Sequence, residues 1–119
     1  MSDRISVDEH IHPGQSFTSA SGEYTLILQE DSNLVLYRGE EPLWTSDTMH
    51  GEEESSENKS LILQSDGNFV LYNADGQPLW ASGSNYEAAQ PYVLVQDDGN
   101  VCLYDEEVEG CHWSTETAQ

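Results

Sequence analysis

The chain has 119 residues, with 23 acidic side chains against 3 basic ones and a formal net charge of −20. Such a surface repels nucleic-acid phosphates and anionic lipid, and no apolar run approaches the ~20 residues of a spanning helix. Nucleic acid and membrane insertion are therefore excluded as partners, and the 36% hydrophobic content implies one domain with a compact core.

Met1 to Glu9 is polar and reads as a loose arm without an apolar signal region. The expected location is cytoplasmic, or outside the cell without a classical signal peptide, unless a leader has been removed. Ile11 to Phe17 holds a Pro13-Gly14 turn and then a short strand, and Ser19 to Gly22 is turn-like. Tyr24 to Gln29 is rich in β-formers, and Leu34 to Tyr37 is its hairpin partner. After a turn at Arg38 to Glu41, Pro42 to Ser46 forms a strand whose proline fits its first position. Asp47 to Lys59 is the longest loop, acidic and serine-rich; Asn58-Lys59-Ser60 matches a glycosylation sequon, of consequence only in the secretory route. Strands follow near Ser60–Gln64, Phe69–Tyr72 and Pro78–Ser82, with a turn at Asn73 to Gly76. After a connector from Ser84 to Gln90 come strands near Tyr92–Gln96, Val101–Tyr104 and Cys111–Thr115. No segment holds helical periodicity, so the chain is all-β.

One pattern organises this succession. Gln29, Asp31, Asn33, Val35 and Tyr37 recur as Gln64, Asp66, Asn68, Val70 and Tyr72, and again as Gln96, Asp98, Asn100, Cys102 and Tyr104. A tryptophan follows each copy (Trp44, Trp80, Trp113) and opens a run of small residues: Thr45-Ser46, Ala81-Ser82, Ser114-Thr115. The repeats span approximately 11–47, 60–84 and 91–117 within a single domain. Alternate residues of an extended chain share a face, so the polar set falls on one side. Leu28, Leu34 and Leu36 fall on the other, which should be core. The Asp-Gly-Asn or Asp-Ser-Asn centre has turn chemistry. A three-residue loop is expected, placing Gln29 opposite Val35 on one face; a two-residue loop would put them on opposite faces. The three tryptophans could be sugar platforms, but repeated Trp beside Leu at the hydrophobic beat reads as core.

The threefold Gln-x-Asp-x-Asn-x-Val-x-Tyr motif resembles that of the bulb-type (monocot) mannose-binding lectins, over about Ile11 to Thr117. The resemblance implies a β-prism II: three four-stranded antiparallel sheets about a pseudo-threefold axis, with the tryptophans meeting near it. It implies a lectin recognising terminal mannose on glycans or glycoproteins through up to three shallow sites, with no metal or other cofactor and no catalysis. Gln29, Gln64 and Gln96 would bond the 3-hydroxyl. Asp31, Asp66 and Asp98 with Asn33, Asn68 and Asn100 would bond the axial 2-hydroxyl. Tyr37, Tyr72 and Tyr104 would bond the 4-hydroxyl, while Val35 and Val70 pack on ring carbons and Cys102 stands in the third such place. These side chains offer the donors and acceptors a neutral sugar needs; on their own, Asp and Asn could merely hold turns. The family also implies a possible homodimer by C-terminal strand exchange, through a tail at Glu116 to Gln119. The disulfide usual in plant members would fall at Ser32 and roughly Lys59; its absence favours a reducing compartment.

Other chemistry is weaker. Asp97-Asp98-Gly99-Asn100 faintly resembles a calcium loop but lacks the further ligands and flanking helices. His10 and His12 read as surface residues, without companions for a zinc site. No nucleophile–base pair or fixed carboxylate pair marks a glycosidase. An interaction module with unused sugar sites is the alternative. Cys102 keeps the valine beat, and Cys111, two residues before Trp113, should share its core-facing side. On opposite faces of one sheet the two cannot form a disulfide, so both are expected as free thiols.

Overall fold

The computed structural model describes residues 3–30, 33–46, 60–72, 76–84 and 89–118. The 47–59 loop with its sequon and most of the Asn73–Gly76 turn and the Ser84–Gln90 connector lie outside the described residues. So do Asp31, Ser32 and Lys59.

Twelve strands build three four-stranded antiparallel sheets. Sheet one holds β3 (Ser16–Thr18), β4 (Tyr24–Leu28), β5 (Leu34–Arg38) and β6 (Glu41–Thr45), in that order. Sheet two holds β2 (His10–Ile11), β7 (Ser60–Leu63), β8 (Phe69–Tyr72) and β9 (Pro78–Ala81). Sheet three holds β1 (Arg4–Ser6), β10 (Pro91–Val95), β11 (Val101–Asp105) and β12 (Trp113–Ser114). This is the β-prism II arrangement.

The amino-terminal segment is not the loose arm its polarity suggests. It gives one outer strand to each sheet in turn, and every such strand plants one apolar residue in the core. Ile5 pairs with Val93, Ile11 with Leu61 and Phe17 with Leu26, with exposures of 0%, 1% and 7%. Composition hid this because strands of two or three residues have room for only one core side chain each. Arg4 fastens the outermost strand: it lies 3.8 Å above the Tyr92 ring and pairs with Glu106 at 2.6 Å. Both charged groups are about half exposed, so the ion pair adds little and the ring contact and Ile5 burial carry the attachment. Every sheet is complete within one chain, with β12 paired to its own β11.

Alternation along the central strands behaves as period-2 patterning requires. Leu26, Leu28, Leu34 and Leu36 of sheet one, Leu61, Leu63, Phe69 and Leu71 of sheet two, and Val93, Val95, Val101 and Leu103 of sheet three all join one buried cluster. The tryptophans cap it. Their ring centroids are 5.5 Å (Trp44–Trp80), 5.8 Å (Trp44–Trp113) and 5.6 Å (Trp80–Trp113) apart, all edge to face. Phe69 packs beneath, 6.0 Å from Trp80.

A β-bulge aims Trp44 and Trp80. Leu36 lies opposite Trp44, yet the next residue, Tyr37, lies opposite Pro42; likewise Leu71 faces Trp80 and Tyr72 faces Pro78. The extra residue in the outer strand lets the tryptophan face the core while the residue two before it faces outward.

Ile5 gives the sharpest test of closure by the amino-terminal segment. Ile5→Ala should lower stability by about 2–4 kcal/mol, and Ile5→Val by about 1 kcal/mol, in urea melts. An unchanged midpoint for Ile5→Ala would show that β1 is not part of the folded unit.

Candidate functional site

Each motif sits on the outer face of its sheet, astride a hairpin. In every repeat the Gln amide N donates to the Asn carbonyl: Gln29 to Asn33, Gln64 to Asn68 and Gln96 to Asn100, each at 2.9 Å. The loop between them is three residues long, as expected, and the polar set shares one face. The partner differs from expectation: Val35 pairs with Ile27, while Gln29 stands opposite Asn33. A three-residue loop closes directly on its flanking residues, so the motif's two ends meet two residues earlier than anticipated. Gly67 and Gly99 end the second and third loops at φ of 85° and 91°. That left-handed position is where a three-residue hairpin loop calls for glycine.

Gln and Tyr meet across the strands. Gln29 Nε2 donates to Tyr37 Oη at 2.5 Å and Gln96 Nε2 to Tyr104 Oη at 2.6 Å; Gln64 and Tyr72 make the same bond. The residue between lies low. Val35, Val70 and Cys102 are each only 3% exposed. The expectation that the valines present a face to sugar carbons is thereby restricted, because in this conformation they are nearly covered.

Asp and Asn hold the turn and bring the site together in one act. Asp66 Oδ1 accepts from Asn68 N, and Asp98 Oδ1 from Asn100 N, both at 2.9 Å. Asp31 lies outside the described residues. The asparagine Oδ1 atoms point inward: Asn33 Oδ1 accepts from Ser46 Oγ at 3.2 Å, Asn68 Oδ1 from Ser82 Oγ at 3.2 Å, and Asn100 Oδ1 from Thr115 Oγ1 at 3.1 Å. Those hydroxyls in turn accept the amides of Leu34, Phe69 and Val101 at 3.0, 3.0 and 3.1 Å. An asparagine whose oxygen is so engaged keeps its NH2 end as a donor group.

The hydroxyl that follows each tryptophan by two residues is the functional element whose role was not read from sequence. The signal was the small-residue run after each Trp, visible as a repeat but carrying no cue to its partner. A second hydroxyl extends it in two repeats: Ser84 Oγ donates to Gly67 O at 2.8 Å, and Thr117 Oγ1 to Gly99 O at 2.6 Å. Asp105 likewise has a role that no local sequence pattern signals. Although buried, its carboxylate accepts from Ala89 N, Gln90 N and Glu107 N at 2.8–3.1 Å, pinning the chain on either side of sheet three.

The third site differs electrostatically. The Cys102 thiol lies 3.5 Å from Gln96 Oε1. Burial foremost pushes that thiol up to about 12, against a lowering hydrogen bond with Tyr104 and with a further rise from Cys111. Tyr104 is also raised: its Gln96 bond lowers it, but burial and the two thiols outweigh this. Both side chains thus remain protonated donors at neutral pH. Cys111 is exposed, not core-facing; His112 N donating to Leu103 O at 2.8 Å, next to the Leu103–Trp113 pair, offsets the chain as the bulges do in the other two sheets and defeats the parity argument. Both thiols are nonetheless free.

The remaining sequence candidates stay apart. Asp97 Oδ1 accepts Ser21 N at 2.8 Å, which lowers its pKa and ties the third turn to the 19–22 turn. The supposed calcium loop is a hairpin turn between β10 and β11. His10 and His12 are exposed, and among the described residues no group of three or more His, Cys, Asp or Glu could hold a metal ion.

The inward asparagine bonds set what a mutation does. Asn68→Ala removes the acceptor for Ser82 Oγ and for Gly83 N, which lies 3.0 Å away. It should cost about 1–2 kcal/mol and lower the melting temperature, contrary to a purely exposed turn. Ser82→Ala strips the Phe69 amide of its partner and should cost a similar amount, about 1–2 kcal/mol, in the same melts.

No protein-family model matches the chain. It is 32% identical over 106 residues to the B-type lectin plumieribetin of Scorpaena plumieri, covering 88% of each protein. Among solved structures it resembles a monomeric monocot mannose-binding lectin from Gastrodia elata, with a TM-score of 0.87, 34% identity, and coverage of 99% and 100% of the two chains. It also resembles the mannose-specific agglutinin of Galanthus nivalis complexed with methyl-α-D-mannoside, with a TM-score of 0.78, 31% identity, and coverage of 91% and 94%. Fold and repeat agree with these likenesses, and the chain belongs to the bulb-type, or B-type, mannose-binding lectin family.

Proposed function

We propose that the protein binds terminal mannose on glycans through up to three shallow, metal-independent sites and carries out no catalysis. The observation that carries this reading is the threefold recurrence of one constellation. In each repeat a Gln–Tyr pair is bonded across the strands, beside an asparagine whose oxygen is tied inward. The inward tie leaves the NH2 end to meet the axial 2-hydroxyl, with the Asp carboxylate as its companion. Gln meets the 3-hydroxyl and Tyr the 4-hydroxyl. The mannose specificity of the Galanthus nivalis agglutinin and the mannose binding of the Gastrodia elata lectins support the same sugar. Dimerisation by exchange of the C-terminal strand would substitute an identical interchain pairing for the β11–β12 contact. Sedimentation against concentration tests it.

Mannose should bind with a Kd near millimolar per site, about −4 kcal/mol. Glucose should bind much less, because its equatorial 2-hydroxyl leaves the Asp–Asn pair imperfectly satisfied. A chelator should change neither. Equal calorimetric responses to both sugars, or silence toward mannosylated glycoprotein, would refute the reading.

The sites should be unequal. Tyr37→Phe and Tyr72→Phe remove one hydroxyl without touching the asparagine anchors, and each should cut binding to a mannan surface severalfold by breaking multivalent engagement. Tyr104→Phe should do less, since the third site already has a thiol against Gln96. Binding to mannan, with melting curves as folding control, ranks the three; a Tyr104→Phe variant worse than the others reverses the ranking.

A further inference from the structure

Cys102 and Cys111 share the outer face of sheet three. In sheets one and two, Tyr37 and Tyr72 lie opposite Pro42 and Pro78, each two residues before its tryptophan. Cys111 stands two residues before Trp113, so it takes the corresponding place beside Tyr104. His112 N donating to Leu103 O at 2.8 Å holds the chain there, and Cys111 Sγ donates to Trp113 O at 3.1 Å. The Cys111 thiol also helps to raise the Cys102 thiol, as a near neighbour on that face would. One thiol is buried and the other exposed, and neither is bonded to another sulfur. The other repeats have Val35 with Pro42 and Val70 with Pro78 at these places, so the pair is peculiar to the third.

We propose that Cys102 and Cys111 form a redox-active dithiol that closes to a reversible disulfide inside the third motif. The oxidant is a peroxide. The exposed Cys111 sulfur attacks one peroxide oxygen and the O–O bond breaks. Cys111 becomes a sulfenic acid, and with hydrogen peroxide one water leaves. The Cys102 sulfur then attacks the Cys111 sulfur; the S–O bond breaks, and the hydroxyl leaves as a second water with the Cys102 proton. Two thiols lose two electrons and two protons, and the peroxide takes them up. The order follows from access: Cys111 meets solvent, whereas the buried Cys102 thiol, held protonated, is a poor first nucleophile. Closure turns the Cys102 sulfur away from Gln96 Oε1 and staples the two-residue strand β12 to its neighbour. The third motif alone is altered.

The test treats dilute native protein with hydrogen peroxide, then counts thiols after denaturation without reductant. Two thiols before and none after are expected, with the mass of two hydrogens lost, the chain still single on a non-reducing gel, and recovery on reduction. Constraint of the unfolded chain should raise the melting temperature by several degrees. Cys111→Ser should leave Cys102 titratable after the same treatment. Cys102→Val, which restores the residue of the other repeats, should stop at a Cys111 sulfenic acid that dimedone traps. Persistence of both thiols, direct progress to sulfinic acid, a disulfide between two chains, or equally fast oxidation of Cys102 in Cys111→Ser would each overturn the proposal.

Discussion

Three indoles meeting edge to face at the axis are the constraint on which the rest of the molecule depends. Each comes from a different sheet, so their mutual distances of 5.5–5.8 Å fix the three sheets relative to one another. Edge-to-face pairs contribute about 0.5–1.5 kcal/mol each beyond the area they bury. A plain strand cannot supply such an indole and still point its other residues correctly. The bulge resolves this by inserting one residue, so that an inward tryptophan and an outward residue two positions earlier coexist. That displacement also sets the site's edge: Pro42 and Pro78 flank their tyrosines, and Cys111 flanks Tyr104.

Inner and outer faces are coupled through the hydroxyl two residues past each tryptophan. Ser46, Ser82 and Thr115 take the first amide of the adjacent, preceding central strand and give a hydrogen bond to the motif asparagine. Whatever positions the indole thus positions the asparagine. The motif amide is oriented by a chain running from the core, through a short outer strand, to the turn. Placing a side chain on such a support limits its freedom before any ligand arrives.

Closure by the amino-terminal segment has a related logic. Outer strands of two or three residues bury little on their own, and each is held by one fully or nearly buried side chain, Ile5, Ile11 or Phe17. On a chain of net charge −20, the Arg4 guanidinium over Tyr92 also places one of very few cations against the acidic stretch after β11. Like-charge repulsion acts over about a Debye length, so these local contacts matter most at low salt.

The sequence by itself determined the all-β class, the three repeats, the core face of every central strand and the identity of the motif residues. Each of these is a local property. Side-chain alternation has period two, Asp-Gly-Asn has turn chemistry, and Gln, Asn and Tyr recur where they can be counted. The tertiary structure decided what pairing and packing decide. Short strands such as β1 and β2 have no periodicity to read, so only their partners reveal them. Register opposite the three-residue loop placed Asn33, and not Val35, across from Gln29. The offset of His112 and Trp113 opposite Leu103 reversed the parity that would have sent Cys111 inward. The inward bonds of Asn33, Asn68 and Asn100 depend on hydroxyls 13 to 15 residues away along the chain, a distance at which no local pattern can name the partner.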